Sequence, residues 1–189
     1  MQVQPTSLPG VLLLRPDRHV DERGFFSEAW NAETLAQHGI TVEFVQDNHS
    51  FSPQPGTLRG LHYQAPPHAQ AKLVRCARGA LFDVAVDLRP GSATFGRWTG
   101  VDLSFDNGWQ MLIPEGFAHG FVTRLPETEI AYKCSAHYAP ECEHTLHFAD
   151  PEIGIEWGID LDRVLISERD AAAPRLSGLS PLRVEECVA

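Results

Sequence analysis

Proline and glycine occupy 14 and 15 positions of this chain, and most of the stretches they delimit are shorter than the ten to twelve residues of a typical helix. Many of the pieces alternate apolar with polar residues over five to nine positions, the pattern of half-buried strands. In "ALFDVAVDL" (80–88), Phe82, Val84, Val86 and Leu88 share one face, and Asp83, Ala85 and Asp87 the other. "VEFVQDN" puts Val42, Phe44, Gln46 and Asn48 on one face, and "TEIAYKC" groups Ile130, Tyr132 and Cys134. Further strands are expected in "GVLLLRP", "RGFFSEAW", "KLVRCA", "WQMLIP" and "HGFVTR". Helix signals are confined to "NAETLAQHG", with Asn31 as N-cap and Gly39 at C′, and to a turn in "SERDAAAP". Short strands separated by turns such as "RPGS" and "DNG" favour a sandwich or closed roll over an alternating β-α architecture.

A chain of 189 residues suffices for one well-buried core. No repeat or linker divides it, so a single domain over residues 1–189 is expected, with a peripheral tail from about residue 174. The N-terminal "MQVQPTSLPG" lacks a basic leader region, and "VLLL" (11–14) is too short for a signal sequence or membrane span, which points to a cytoplasmic protein. Cys76, Cys134, Cys142 and Cys187 have no C-x-x-C spacing; they fit a reducing compartment and read as packing residues. The formal charge of −10 disfavours nucleic acid as a partner. Any anionic ligand must therefore meet local cations, and "TLRGLHYQAPPHAQAKLVR" (57–75) supplies Arg59, Lys72 and Arg75.

Of the nine histidines, seven lie among polar or turn residues. His62, in "RGLHYQ", and His119, in "PEGFAHGF", sit instead in apolar strands flanked by glycines, either as satisfied core residues or as groups facing a site. Metal-binding β-rolls usually carry an H-x-H pair, but the residue two after His62 is Gln64, so no metal is expected. Lys72 shares a strand face with Val74 and Cys76; it either snorkels to the surface or is held inside by a charged partner. Arg59 and His62 fall on opposite faces of an undisturbed strand, yet Gly60 between them is a candidate bulge that would re-aim both into one pocket. On spacing alone Asp170 completes an S-x-x-D capping box with Ser167, Tyr132 and Tyr138 are core or rim aromatics, and Arg23 is a solvated turn residue.

The segments "DERGFFSE", "FVQDNHS", "LRGLHYQ", "QAKLVRCARGALFDVAVDLRPGSATFGRW", "IPEGFAHGF", "YKCSAHYAPECE" and "ISERD" follow one another in the order and spacing of one family. From about Asp21 to Leu176 the chain resembles the dTDP-4-dehydrorhamnose 3,5-epimerases. The resemblance implies a mainly β fold, a cupin-type jelly-roll barrel of antiparallel strands with a few short helices. It also implies a homodimer that needs no metal or cofactor and acts on a dTDP-sugar. By the same resemblance His62 is the general base, Tyr132 the general acid, Asp170 the carboxylate that orients His62, and Lys72 the cation beside the sugar C4 oxygen. His119 is a substrate contact, with Asp83 behind it. Arg23, Glu28, Gln46, Asp47, Asn48, Arg59 and Glu143 match positions that hold the diphosphate or nucleotide, and Tyr138 matches the residue that stacks on thymine. Thr57, Gly158 and Arg169 depart from the family's usual valine, proline and lysine.

The implied reaction is epimerisation of dTDP-4-dehydro-6-deoxy-D-glucose at C3 and C5 through an enolate. A relative acting at only one of these carbons would use the same residues. A non-catalytic sugar-nucleotide binding module would lack an acid/base group, and a metal-dependent cupin oxygenase would require a bound metal.

Overall fold

A computed structural model describes residues 1–179. Cys187 and residues 180–189 of the expected tail lie outside the described residues. The strands are β1 (Gln2–Pro5), β2 (Leu12–Arg15), β3 (His19–Asp21), β4 (Gly24–Phe26), β5 (Gln46–Ser52), β6 (Leu58–Gln64), β7 (Lys72–Arg78), β8 (Ala80–Asp87), β9 (Trp98–Ser104), β10 (Gln110–Ile113), β11 (Phe117–Thr123), β12 (Thr128–Cys134) and β13 (Glu143–Thr145). They form a six-stranded sheet in the order β1-β2-β10-β7-β12-β5, a five-stranded sheet in the order β13-β6-β11-β8-β9, and the separate hairpin β3-β4. Every pairing between these strands is antiparallel. Two short helices, α1 (Ala32–Ala36) and α2 (Glu168–Ala171), complete the cupin-type β fold.

Alternation in the strands sorts side chains into three layers. Val74, Cys76, Leu81, Ala85, Met111, Phe121 and Ile130 fill the space between the sheets. On the outer face of the five-stranded sheet, Val84, Val86 and Val122 are covered by Leu146, Phe148, Ile153 and Trp157 from the chain after β13. On the outer face of the six-stranded sheet, Leu14, Leu73 and Leu112 are covered by Leu35 of α1 and by Ile40. The expected helix starts as the sequence indicates, with the Asn31 side chain accepting from the N–H groups of Glu33 and Thr34. Its C-cap is Gln37, so His38 is the C′ residue and Gly39, at φ +76°, follows it by one instead of occupying C′ as expected.

Two further expectations change. "VEFVQDN" is a strand only from Gln46; residues 41–45 are irregular, so Val42 and Phe44 pack on the outer layer while Gln46 and Asn48 line an inner cleft. Within "RGFFSEAW" only Gly24–Phe26 is a strand, in an exposed hairpin. Cys76 and Cys134 are free and buried, as packing residues are. The described part of the tail is docked, with Pro174 O accepting from His147 N at 2.8 Å and Asp150 Oδ2 accepting from Leu176 N at 2.6 Å. Among the described residues no helix is long and apolar enough to cross a membrane.

Candidate active site

Gly60 decides which side chains meet. At φ +114° it adopts a backbone conformation that side-chain-bearing residues rarely tolerate, and a Cβ there would lie 2.7 Å from Gly120 Cα and from His119 O. Opposite, a Cβ on Gly120 would lie 2.8 Å from Arg59 O, so the two glycines permit β6 and β11 to approach closely. The register between these strands shifts at this point. His119 pairs with His62 and Phe121 with Arg59, two steps on β11 against three on β6. The extra residue brings Arg59 and His62 to the same cavity despite their opposite parity.

That cavity, about 530 Å³, is lined by Arg59, His62, Lys72, His119, Tyr132 and Asp170, together with Ser50, Thr57, Leu58, Phe121 and the chain from Leu165 to Ser167 with Arg169. A second cleft of about 270 Å³ shares His62, Lys72 and Tyr132 and continues past Gln46, Asn48, Gln64, Gln70, Tyr138 and Glu143. An elongated ligand with a reactive end in the first and a planar group in the second would fit this continuity.

Asp170 is 4% exposed, and its Oδ1 lies 2.8 Å from His62 Nε2. Its other oxygen accepts from Gly60 N at 3.1 Å. Burial pushes its carboxyl up, but these bonds and that of Ser167 outweigh burial and hold it below the usual carboxylate value. Ser167 does cap α2, accepting from Asp170 N at 3.1 Å, but the Asp170 carboxylate turns to His62 rather than closing a capping box. Because Asp170 is acceptor-only, the proton of the neutral ring sits on Nε2, leaving Nδ1 as the basic nitrogen.

His119 has its own carboxylate, with Nε2 2.7 Å from Asp83 Oδ1 and Asp83 fully buried. Lys72 is 7% exposed and donates to His62 O at 3.2 Å. Burial lowers its pKa, opposed by its electrostatic interactions with Cys134, Asp83 and Glu143. The snorkelling alternative is thus excluded. Tyr132 enters from β12, on the other sheet from His62, and burial raises its pKa, so it is a protonated phenol at neutral pH.

At the mouth, Glu143 accepts from Tyr138 Oη at 2.8 Å and pairs with Arg169 Nη1 at 2.7 Å. Burial would raise the Glu143 carboxyl, but these partners hold it below its usual value. Gln46 accepts from Tyr138 N at 2.9 Å and donates to Asn48 Oδ1 at 3.0 Å. Asp47 points to the opposite face of β5 from Gln46 and Asn48, pairing with Lys133 at 3.1 Å and lining a neighbouring cleft that Tyr132 also borders. Arg23 also lies outside the cavity, 85% exposed on the β3-β4 hairpin and paired with Asp21, and Glu28 lines the cleft that holds Asp47. Conversely, Arg169 lines the cavity although the sequence marks it only as a departure; its place next to Asp170 in "SERD" was the available signal. Among the described residues no group of three or more His, Cys, Asp or Glu is arranged to hold a metal ion.

Such a cavity can remove a proton at a histidine, supply one from a tyrosine, and stabilise a developing oxyanion with a buried ammonium group. A family model described as dTDP-4-dehydrorhamnose 3,5-epimerase matches residues 5–178. The dTDP-4-dehydrorhamnose 3,5-epimerase of Salmonella typhimurium is 51% identical over 177 residues, covering 93% of this chain and 96% of its own. That of Sinorhizobium fredii is 48% identical over 179 residues, covering 95% and 91%. The crystal structure of dTDP-6-deoxy-D-glucose-3,5-epimerase from Legionella pneumophila, in complex with dTDP-4-keto-L-rhamnose, superposes with a TM-score of 0.90 at 45% identity, covering 95% of this chain and 94% of that one.

Proposed function

The chain belongs to the dTDP-4-dehydrorhamnose 3,5-epimerase family and is an isomerase, and from that premise we propose that it epimerises dTDP-4-dehydro-6-deoxy-D-glucose at C3 and C5, giving dTDP-4-dehydro-L-rhamnose in the route to dTDP-L-rhamnose. The observation that carries the residue roles is the convergence of His62, Lys72 and Tyr132, from three strands of two sheets, on one cavity.

The C–H bonds beside the C4 ketone are acidic only because the carbanion delocalises onto the C4 oxygen. His62 takes the proton on Nδ1, and the Asp170 carboxylate at Nε2 stabilises the imidazolium that results. Lys72 faces the enolate oxygen, where one well-placed donor is typically worth about 3 to 4 kcal/mol. Inversion needs a proton delivered to the face opposite the base, and Tyr132, on the other sheet, supplies it. His119, held by Asp83, contacts the sugar. Arg59 and Arg169 neutralise the diphosphate at the mouth of a chain that is otherwise acidic. Tyr138 presents its ring to thymine, fixed by its bonds to Gln46 and Glu143, while Asn48 borders the same cleft.

The homodimer follows from the same reading. Arg23 and Glu28 belong to a substrate site by resemblance yet lie outside the cavity of their own chain, and the hairpin beside them exposes Val20 (77%) and Phe26 (70%). A second copy that covers this hairpin and receives Arg23 at its nucleotide cleft accounts for both. The direct test of function is NMR of the purified enzyme with dTDP-4-dehydro-6-deoxy-D-glucose in deuterated water. Deuterium is expected at both C3 and C5; label at one carbon alone would mean a mono-epimerase, and label at neither would refute proton abstraction.

A further inference from the structure

Alternation along β5 turns Gln46, Asn48, Ser50 and Ser52 to one side, and the first two border the nucleotide cleft. Ser50 is the next step, and it lines the cavity that holds Arg59, His62, Lys72 and Tyr132. Its Oγ is shut off from solvent and meets no hydrogen-bond partner among the described residues. A buried hydroxyl without a partner is a standing cost to the free protein, and a group of this kind at a cavity wall gains most from a ligand that supplies the missing partner. A serine Oγ moves between staggered positions by one step about χ1, the motion that would offer it to a ligand in the cavity. The same strand contains an internal comparison. Ser52 also has a buried, unpartnered Oγ, but it is wholly buried opposite Thr128 and does not line the cavity.

We propose that Ser50 is a further substrate-binding residue, whose hydroxyl hydrogen-bonds an oxygen of the bound diphospho-sugar and extends the polar row of Gln46 and Asn48 from the nucleotide to the reacting end. This rests on the reading of the cavity as a dTDP-sugar site. The acceptor is an oxygen in either case, on the terminal phosphate or on the sugar, and the two are separated by the ligand used.

The experiment compares Ser50→Ala and Ser52→Ala with wild type by calorimetric titration of dTDP and of unreactive dTDP-glucose, by steady-state kinetics, and by thermal melting. For Ser50→Ala, dTDP-glucose affinity is expected to fall about 10-fold, with KM rising in step and kcat changing less, while Tm stays level or rises because an orphaned hydroxyl has been removed. An equal loss for dTDP assigns the contact to the phosphate, and retention of dTDP affinity assigns it to the sugar. Ser52→Ala should match or exceed wild-type Tm with unaltered affinities. Wild-type affinity for both ligands in Ser50→Ala overturns the proposal, and so does a fall of several degrees in its Tm, which would make the hydroxyl structural. If wild type shows no solvent exchange, the epimerase reading fails, and the titrations still decide the role of Ser50.

Discussion

Replacing Asp170 by Asn tests the His62 arrangement with almost no change of shape. The carboxylate accepts at both oxygens, from His62 Nε2 at 2.8 Å and from Gly60 N at 3.1 Å. An asparagine can keep its carbonyl on Gly60 N–H, but its amide nitrogen then faces His62 and donates. The ring must either move its proton to Nδ1, which removes the lone pair that abstracts the substrate proton, or keep it on Nε2 and oppose two donors. Holding the working tautomer against a lost, largely buried hydrogen bond costs about 1–3 kcal/mol. The imidazolium also loses its counter-charge. Two charges about 4 Å apart at an effective dielectric of about 20 interact by about 4 kcal/mol, and because the His62 side chain is 32% exposed, solvent screening reduces this to roughly 2 kcal/mol. The sum, about 4 kcal/mol, corresponds to a loss of about 10³-fold in kcat. Binding should be spared, since Arg59, Arg169 and Tyr138 do not contact Asp170 through any hydrogen bond. Steady-state kinetics with calorimetric dTDP titration reads both quantities. A variant that keeps more than a tenth of wild-type kcat, or that loses dTDP affinity along with turnover, would refute the tautomer argument.

Tyr132→Phe keeps the base but removes the donor on the opposite sheet, so deuterium should still enter the substrate from solvent while net inversion falls by at least about 10²-fold; loss of exchange as well would reassign Tyr132. Lys72→Met keeps the buried volume and removes the ammonium group, so kcat should drop about 10²–10³-fold with Tm unchanged or higher, because a buried cation is costly to hold; kcat within 10-fold of wild type would argue against the enolate clamp. Away from the site, Asp87 is wholly buried and accepts from Arg89, Ser92 and Thr94; burial raises its carboxyl, but these bonds outweigh burial and depress its pKa strongly. A depressed folded-state pKa stabilises above the unfolded value near 4 and is lost as pH falls through the folded value. Asp87→Asn should therefore cost about 2–4 kcal/mol at pH 7, and denaturant titrations should find the gap to wild type closing below pH 4.

Strand positions were legible in the sequence because alternation is a local signal, read within seven or eight residues in β7, β8 and β12. It failed before Gln46, where apolar spacing continues but the chain is irregular and its side chains change layer. The site was legible in parts for a different reason. Lys72 was ambiguous by periodicity, since an inward lysine and a snorkelling one share a pattern, and only its burial within reach of Asp83 and Glu143 separates them. Asp170 read locally as a cap because Ser167 does cap its N–H; its carboxylate answers to a residue 108 positions away, which no window contains. Arg23 and Glu28 could be named by resemblance but not placed by a single chain.

The one distant consequence that was readable came from a glycine. A strand of regular pleat cannot send residues i and i+3 to one side, so bringing Arg59 and His62 of β6 to one cavity requires an interruption between them. Gly60 supplies it through a positive φ and an approach to β11 that leaves no room for a methyl group. Gly60→Ala should then do two separable things. The forced φ and the 2.7 Å contacts with backbone atoms should lower stability by more than about 3 kcal/mol, which for a chain of this size is a fall in Tm of roughly 6–12 °C. In the fraction that still folds, relaxation of the bulge should part Arg59 from His62, so that turnover per folded molecule drops along with dTDP affinity. Gly39 provides the comparison: it also has a positive φ, +76°, but a Cβ there meets nothing within 4 Å, so Gly39→Ala should cost only about 1 kcal/mol and leave turnover intact. Equal melting temperatures for the two variants would mean that crowding against β11 does not hold the bulge, and a Gly60→Ala enzyme with full activity would mean that the bulge does not align the site.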